Sequence, residues 1–458
     1  VNLSALAGIV GAENVQSGDE CRHAASSWSP EWTKRNAARD ADALPLAVVL
    51  PADTEQAAAI VRWANQTRIP LSSVGGGSSL VRGVRRAPWV AVDLSRLTEV
   101  EWDEESLLVR AGAGWNLATL EKTLNGHDYT LGQFPQSMGL ATVGGCVATD
   151  AVGALAGKYG RFYDVAVGLT AVLPNGAILQ TQRPPLGSAA PDLHALLLGG
   201  EGAFGIVTEA RLRLRPAPEA RAWAVFVFPS FGDGVDALRL IYRSDARPAG
   251  VRLLDTAAVG DLRSVAEIPA RGALLLLCFE GDEIVQTGQY QLAFAICQQV
   301  CGIAQDSTIG DRWFETARTD TSWMAANARP SSVADGLALG AAWSTLKAVH
   351  GAVRAALSGM VTQQSAQIGS AGSEGASLDF RFEAEEATGD PLALHARIVG
   401  VALDAALAAG GAVAAHFGIG AARAPFLRRE RGPVSMATVA AIQAALDPNG
   451  IFTPGWYL

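Results

Sequence analysis

Val74-Gly75-Gly76-Gly77-Ser78-Ser79 stands between two apolar stretches, one beginning at Ile69 and Leu71, the other Trp89-Val90-Ala91-Val92-Asp93-Leu94. Consecutive glycines tolerate positive φ, so successive backbone N–H groups can point at one centre, and two serines add hydroxyl donors without bulk. Such a loop suits an anion with several oxygens, a diphosphate above all. A flexible surface turn uses the same residues, so the surroundings decide. Upstream, Leu46-Ala47-Val48-Val49-Leu50-Pro51 reads as a buried strand. Asp53-Thr54-Glu55 then opens a helix with Ala57, Ile60, Val61 and Ala64 on one face. Strand, helix, strand, loop, strand is an α/β layer. Two more small-residue clusters follow at Gln136–Gly145 and Gly199–Val207. Three such stretches suit a backbone that wraps a large, flat ligand. The Gly-x-Gly-x-x-Gly fingerprint and the Walker loop are both missing in their strand–turn–helix form, which argues against NAD on a Rossmann unit and against an ATPase.

The rest of the chain narrows the class. Its 458 residues suffice for two or three domains. With 49% hydrophobic and 18% charged residues it can bury a large core, which argues against disorder. A net charge of -9 disfavours nucleic acid and an anionic membrane surface as partners. No apolar run reads as long and uninterrupted enough to span a bilayer. Val1-Asn2-Leu3-Ser4 has no basic n-region, and Gly455-Trp456-Tyr457-Leu458 carries no address signal. The expected location is the cytoplasm, and the excess of arginine over lysine suits a high-GC bacterium. Cys21, Cys146, Cys278, Cys297 and Cys301 are too scattered for a disulfide framework. Cys297 and Cys301 read as small core residues on one face of a helix over 291–304. A metal pair there lacks nearby His or Cys partners.

Further along, Val165–Leu173 reads as a strand ending in the turn Pro174-Asn175-Gly176, and Ile206–Leu214 as a strand with one wet face. Pro216 and Pro218 punctuate the chain. Strands at 224–228 and 274–279 then alternate with helices. In Ser377–Glu383 the residues Leu378, Phe380 and Phe382 face a core, while Asp379, Arg381 and Glu383 face the other way; Asp379 and Arg381 read either as pocket groups or as a solvated ion pair. The Ala/Gly-rich run 399–415 keeps helical spacing, and Asp447-Pro448-Asn449-Gly450 closes the last helix.

The Gly-rich loop, the Ser137…Thr142-Val143-Gly144-Gly145 block and Gly200-Glu201-Gly202-Ala203-Phe204-Gly205-Ile206-Val207-Thr208-Glu209 resemble the FAD domain of the vanillyl-alcohol oxidase/p-cresol methylhydroxylase superfamily. Pro191-Asp192-Leu193-His194, Arg252-Leu253-Leu254-Asp255, Phe279-Glu280-Gly281-Asp282 and Asp447–Phe452 extend the likeness toward the alkyldihydroxyacetonephosphate synthase branch. The resemblance implies an α+β fold. A two-subdomain FAD-binding domain (44–217) would follow an N-terminal helical segment (1–43). An α/β substrate, or cap, domain with an antiparallel sheet (218–410) would come next, and a C-terminal segment (411–458) would pack back on the FAD domain. It implies FAD contacts at Ser73, Val74, Gly75, Gly76, Gly77, Ser78 and Ser79, and at Gln136, Ser137, Met138, Gly139, Thr142, Val143 and Gly144. Thr149, Asp150, Ala151, Val152 and Tyr159 complete the middle block, and Glu201, Gly202, Phe204, Gly205, Ile206 and Val207 the last. Gly77 and Leu140 stand where covalently flavinylated relatives carry anchoring His and Cys, so non-covalent FAD is expected.

The chain departs from the synthase pattern where chemistry is done. Asp379 stands at the family's tyrosine, and Ala415-His416-Phe417 at its triple histidine. Arg252 keeps one substrate arginine, and the other aligns without gaps to Met324. Phe417 also replaces a histidine that the metal-dependent 2-hydroxy-acid dehydrogenases carry, so no metal is expected. The expected activity is FAD-dependent oxidation of a small organic substrate, an alcohol or 2-hydroxy acid. His416 or Asp379 would serve as base, with Arg252, Arg381, Met324 and Phe417 around the substrate. The electron acceptor is left open, oxygen among the candidates, and a homodimer is in keeping with the relatives. The alternatives are a synthase-like transfer through a flavin adduct without net redox, and a pseudoenzyme that keeps FAD structurally.

Overall fold

A computed structural model describes residues 3–25, 27–37, 44–81, 88–182, 191–262, 272–386 and 389–452. The expected boundary at 43/44 adjoins residues outside this set, and Gly455–Leu458 lie wholly outside it.

The Gly-rich loop leaves a four-stranded sheet ordered Val15–Gln16, Ala47–Val49, Val90–Asp93, Leu71–Val74, its last three strands parallel. Helix Thr54–Thr67 makes the crossover. Its start is set by Asp53, whose carboxylate accepts from Gln56 N at 2.7 Å, and its stripe of Ala57, Ile60, Val61 and Ala64 is fully buried. A five-stranded antiparallel sheet follows, ordered Val100–Asp103, Leu108–Gly112, Ile206–Arg213, Ala166–Val172, Ile178–Gln182. The expected Pro174-Asn175-Gly176 turn joins the last two, with Gly176 at φ 81.

Beyond Pro218 the chain forms a seven-stranded antiparallel sheet in the order Ile303–Ala304, Ala220–Phe228, Ala273–Gly281, Gly250–Leu254, Gln363–Ala371, Gly375–Glu385, Ser332–Ala342. Helices Phe231–Ile241, Leu346–Leu357 and Pro391–Ala408 share one core with Phe226, Leu275, Leu378, Phe380 and Phe382. On the opposite face Trp223, Leu274, Leu276 and Cys278 pack with Leu155, Tyr159 and Trp313. The middle of the sheet is therefore covered on both sides, so a polar residue there can be kept from water although it faces away from the helical core. Asp379 faces that way and is 5% exposed, which leaves out the alternative of a solvated pair with Arg381.

The chain returns to its first sheet at the end. Helix Gly420–Leu446, kinked at Gly432 (φ 76), stops at Asp447, whose carboxylate accepts from Ile451 N and Phe452 N at 2.8 Å each. Leu71 N donates to Ile451 O at 2.8 Å, and Ile451 and Phe452 are buried beside Ile60 and Val90.

Three expectations need correction. The cysteine-bearing helix is Glu283–Gln299; Cys297 is buried on it, whereas Cys301 lies past its end at φ 63 and is exposed, so the two share no face. Helical structure in the 399–415 run stops at Ala408, where Gly410 (φ 83) breaks it. Helix Pro391–Ala408, 18 residues with mean hydropathy 1.4, is long and apolar enough by length and composition to cross a membrane. Here it buries Leu394, Ile398, Val399, Ala402, Leu403 and Ala406 in the core instead.

Candidate active site

The three small-residue clusters converge on one cleft. Its walls include Ser73 through Ser79, Gln136, Ser137, Thr142 and Gly144, then Thr149, Ala151 and Val152, and finally Glu201, Gly202, Gly205 and Val207. The loop is held close: a Cβ on Gly76 would lie 1.6 Å from Leu140 O, and one on Gly75 2.5 Å from Thr142 Oγ1. Gly77 has φ 69. Among the described residues, the amides of Gly76, Gly77, Ser78 and Ser79 have no acceptor. A row of unpaired N–H donors at a strand end is the donor set that a diphosphate needs, so the residues present fit FAD.

The other members of the expected set lie outside the cleft lining. Met138, Val143 and Phe204 are buried in the core under the five-stranded sheet, and Ile206 in that of the first sheet. Gly139 lies outside the cleft lining, with nothing within 4 Å of where a Cβ would be. Asp150 accepts from Tyr163 N at 2.9 Å and pairs with Arg161 at 3.1 Å. The Tyr159 hydroxyl donates to the buried Glu280 carboxylate. Each satisfies or packs the scaffold behind the cleft. Residues outside the expected set also line it, among them Trp28, Trp32, Cys146 and Trp323. Burial pushes the Cys146 thiol up to about 12, so it is inert at neutral pH.

A second, smaller cavity of about 60 Å³ shares Gln136, Val152, Trp323, His416 and Phe417 with the cleft. Arg252, Arg318, Arg381 and Asp379 line it too. His416 Nε2 is 3.4 Å from Asp379 Oδ1, and Arg252 Nη1 is 3.7 Å from Asp379 Oδ2. Gly369 makes room, since a Cβ there would sit 2.4 Å from Asp379 Oδ2. The Arg252 guanidinium lies 4.9 Å from the Trp313 ring centroid and that of Arg381 5.2 Å from Trp323. Arg318 Nε donates to Phe314 O at 3.0 Å. Five buried polar atoms of these side chains have no hydrogen-bond partner: Arg252 Nε, Arg318 Nη1, Trp323 Nε1, Asp379 Oδ1 and His416 Nδ1. Buried polar atoms are nearly always satisfied, so this concentration marks a place built for a polar ligand.

Burial holds His416 below the ordinary 6.5, with Asp379 pulling the other way, so its imidazole is neutral at physiological pH. Burial also draws Arg252 and Arg318 down to about 10, which leaves both protonated. Met324 does not line the cavity. Arg318, six positions earlier in the short turn Ala317–Thr319, lines it instead.

His416 is presented by a left-handed bend, with Phe417 at φ 75, Gly418 at φ 78 and Gly420 at φ 54. Glu201, itself at φ 48, holds that bend: its carboxylate accepts from Ile419 N at 2.5 Å and Gly420 N at 3.1 Å. Buried Arg423 adds bonds to Gly418 O at 3.2 Å and Gly336 O at 2.9 Å. Glu201 thus lines the cleft with its backbone committed to one wall and its carboxylate to another. Glu201→Ala should strand two amides and cost about 2 kcal/mol, read as a lower midpoint in urea unfolding of the apoprotein.

Comparison with known proteins agrees with this geometry. Residues 45–182 match the FAD binding domain family, and residues 217–457 match the C-terminal domain of FAD linked oxidases. Alkyldihydroxyacetonephosphate synthase of Caenorhabditis elegans is 34% identical over 218 residues, 46% of this chain and 36% of that protein. The chain thus spans little more than a third of that relative's length. The mitochondrial D-lactate dehydrogenase [cytochrome] of Arabidopsis thaliana is 27% identical over 90% of this chain and 73% of its own. A solved alkyldihydroxyacetonephosphate synthase superposes with TM-score 0.79 at 22% identity, covering 97% of this chain and 83% of that one. Substrate-bound p-cresol methylhydroxylase gives 0.81 at 17% identity, covering 99% and 96%. Fold and cleft define a flavoprotein of the p-cresol methylhydroxylase type. The chain belongs to the FAD-linked oxidases, and FAD is its cofactor.

Proposed function

We propose that this protein oxidises a small anionic alcohol of the 2-hydroxy-acid class. The observation that carries the reading is the second cavity: three guanidinium groups against one carboxylate, with five unpartnered polar atoms, at a wall shared with the FAD cleft. Arg252 and Arg318 hold the substrate carboxylate, and Arg381 adds positive charge. The bound flavin supplies the two-electron acceptor. With Nε2–H directed at Asp379, His416 keeps a lone pair on Nδ1 and takes the substrate O–H proton there. Asp379 then faces an imidazolium and stabilises it. The aromatic walls, Phe134, Trp313, Phe380 and Phe417, limit water around the reacting carbon.

The test is anaerobic mixing of the holoprotein with 2-hydroxy acids and with the matching uncharged 2-hydroxy amides. Bleaching of the flavin by acids but not amides supports the reading; equal rates for both would remove the role of the arginines. Arg318→Ala should raise KM for the acid at least about tenfold, whereas Met324→Ala should leave it within about twofold. A second reading, adduct-based transfer without net redox, draws support from the likeness to alkyldihydroxyacetonephosphate synthases. Against it, Asp379 and Phe417 stand where that family's tyrosine and one of its histidines would be.

A further inference from the structure

Residues 27–37 precede both family matches, yet they reach into the FAD cleft. Ser27 Oγ donates to Ser79 O at 3.0 Å, which ties this segment to the end of the Gly-rich loop. Ser29 N donates back to Ser27 Oγ at 2.9 Å and sets the turn into helix Pro30–Ala37. Trp28 and Trp32 then line the cleft together with Ser78, Ser79 and Leu80. At the far side the helix packs on Ser322–Ala328, the segment that carries Trp323, and Lys34 Nζ donates to Arg329 O. One short segment thus joins the loop that receives the diphosphate to the sheet unit that carries the substrate cavity.

We propose that residues 27–37 are a clasp that retains FAD, with Trp28 and Trp32 in direct contact with the cofactor. Gly77 and Leu140 offer no nucleophile for a covalent flavin bond. Retention then falls to surface covered and ordered around the cofactor, and indole rings supply large contact area at little conformational cost. Trp32 is 2% exposed, with the Arg35 guanidinium 5.5 Å from its ring centroid, so its position is set before any ligand arrives.

The experiment uses the full chain as apoprotein, titrated with FAD while flavin and tryptophan fluorescence are followed, with release timed against a trap. Trp28→Ala should raise the FAD Kd about tenfold, mostly through faster release, and should remove part of the tryptophan quenching. Trp32→Phe should weaken binding less. Ser27→Ala, which leaves both rings in place, should speed release by unfastening the segment from Ser79, and it serves if Trp28→Ala does not fold. Kd values, release rates and quenching amplitudes all within twofold of the parent protein would overturn the proposal. So would variants that lose thermal stability while FAD release is unchanged.

Discussion

His416→Ala is expected to slow anaerobic flavin reduction by about 100-fold or more, with substrate affinity little changed, because general-base catalysis contributes effects of that size. The side chain lies at the wall common to cleft and cavity, its Nδ1 is unpaired, and burial keeps it neutral. The pH profile carries a sign. A base acts only when deprotonated, so the reduction rate should be flat through neutral pH and fall as pH drops through the His416 pKa. Since burial depresses that pKa, the fall should come below 6.5. Asp379→Asn, which removes the charge opposing this depression, should move the fall lower still. Reduction at the parent rate in His416→Ala would eliminate it as the base.

Gly76→Ala should abolish tight FAD binding, raising Kd by about 100-fold or more and giving colourless protein. The added Cβ would meet Leu140 O at 1.6 Å and Leu140 C at 2.4 Å, and both are backbone atoms that cannot swing aside. The loop must then retreat from the 140–145 segment, and the row of unpaired amides loses its convergence. Gly139→Ala is the matched control, with nothing within 4 Å of its added carbon, and should bind FAD as the parent does. Equilibrium dialysis of the two variants checks both statements.

What the sequence made legible, and what it hid, follows from locality. The loop could be read because glycine runs have few uses and three of them recur at a distance. The strand Gly375–Glu385 was half legible. Alternation puts Leu378, Phe380 and Phe382 in the core, but it does not tell whether the opposite face meets water or a second layer, and here a second layer covers Asp379. Asp379 is buried there as a partner of Arg252 and His416. Arg318 lies among short turns without periodicity, so no pattern in the sequence places it at the cavity. The motif implies that Glu201 contacts the cofactor, and it lines the cleft, but its carboxylate also secures the His416 bend 218 residues away in the chain. No local pattern announces such a bond. Trp28 and Trp32 lie ahead of the recognisable blocks, in a segment whose sequence shows helical character and no motif.

Under the proposed function the site performs a net two-electron oxidation. The most direct measurement is anaerobic, single-turnover mixing of the holoprotein with a 2-hydroxy acid, with flavin absorbance and the oxidised product quantified together. The oxidised-flavin band should bleach and stay bleached, with one 2-oxo acid formed per flavin. Substrate consumed or exchanged while the flavin band remains oxidised would contradict it and point to adduct-based transfer instead.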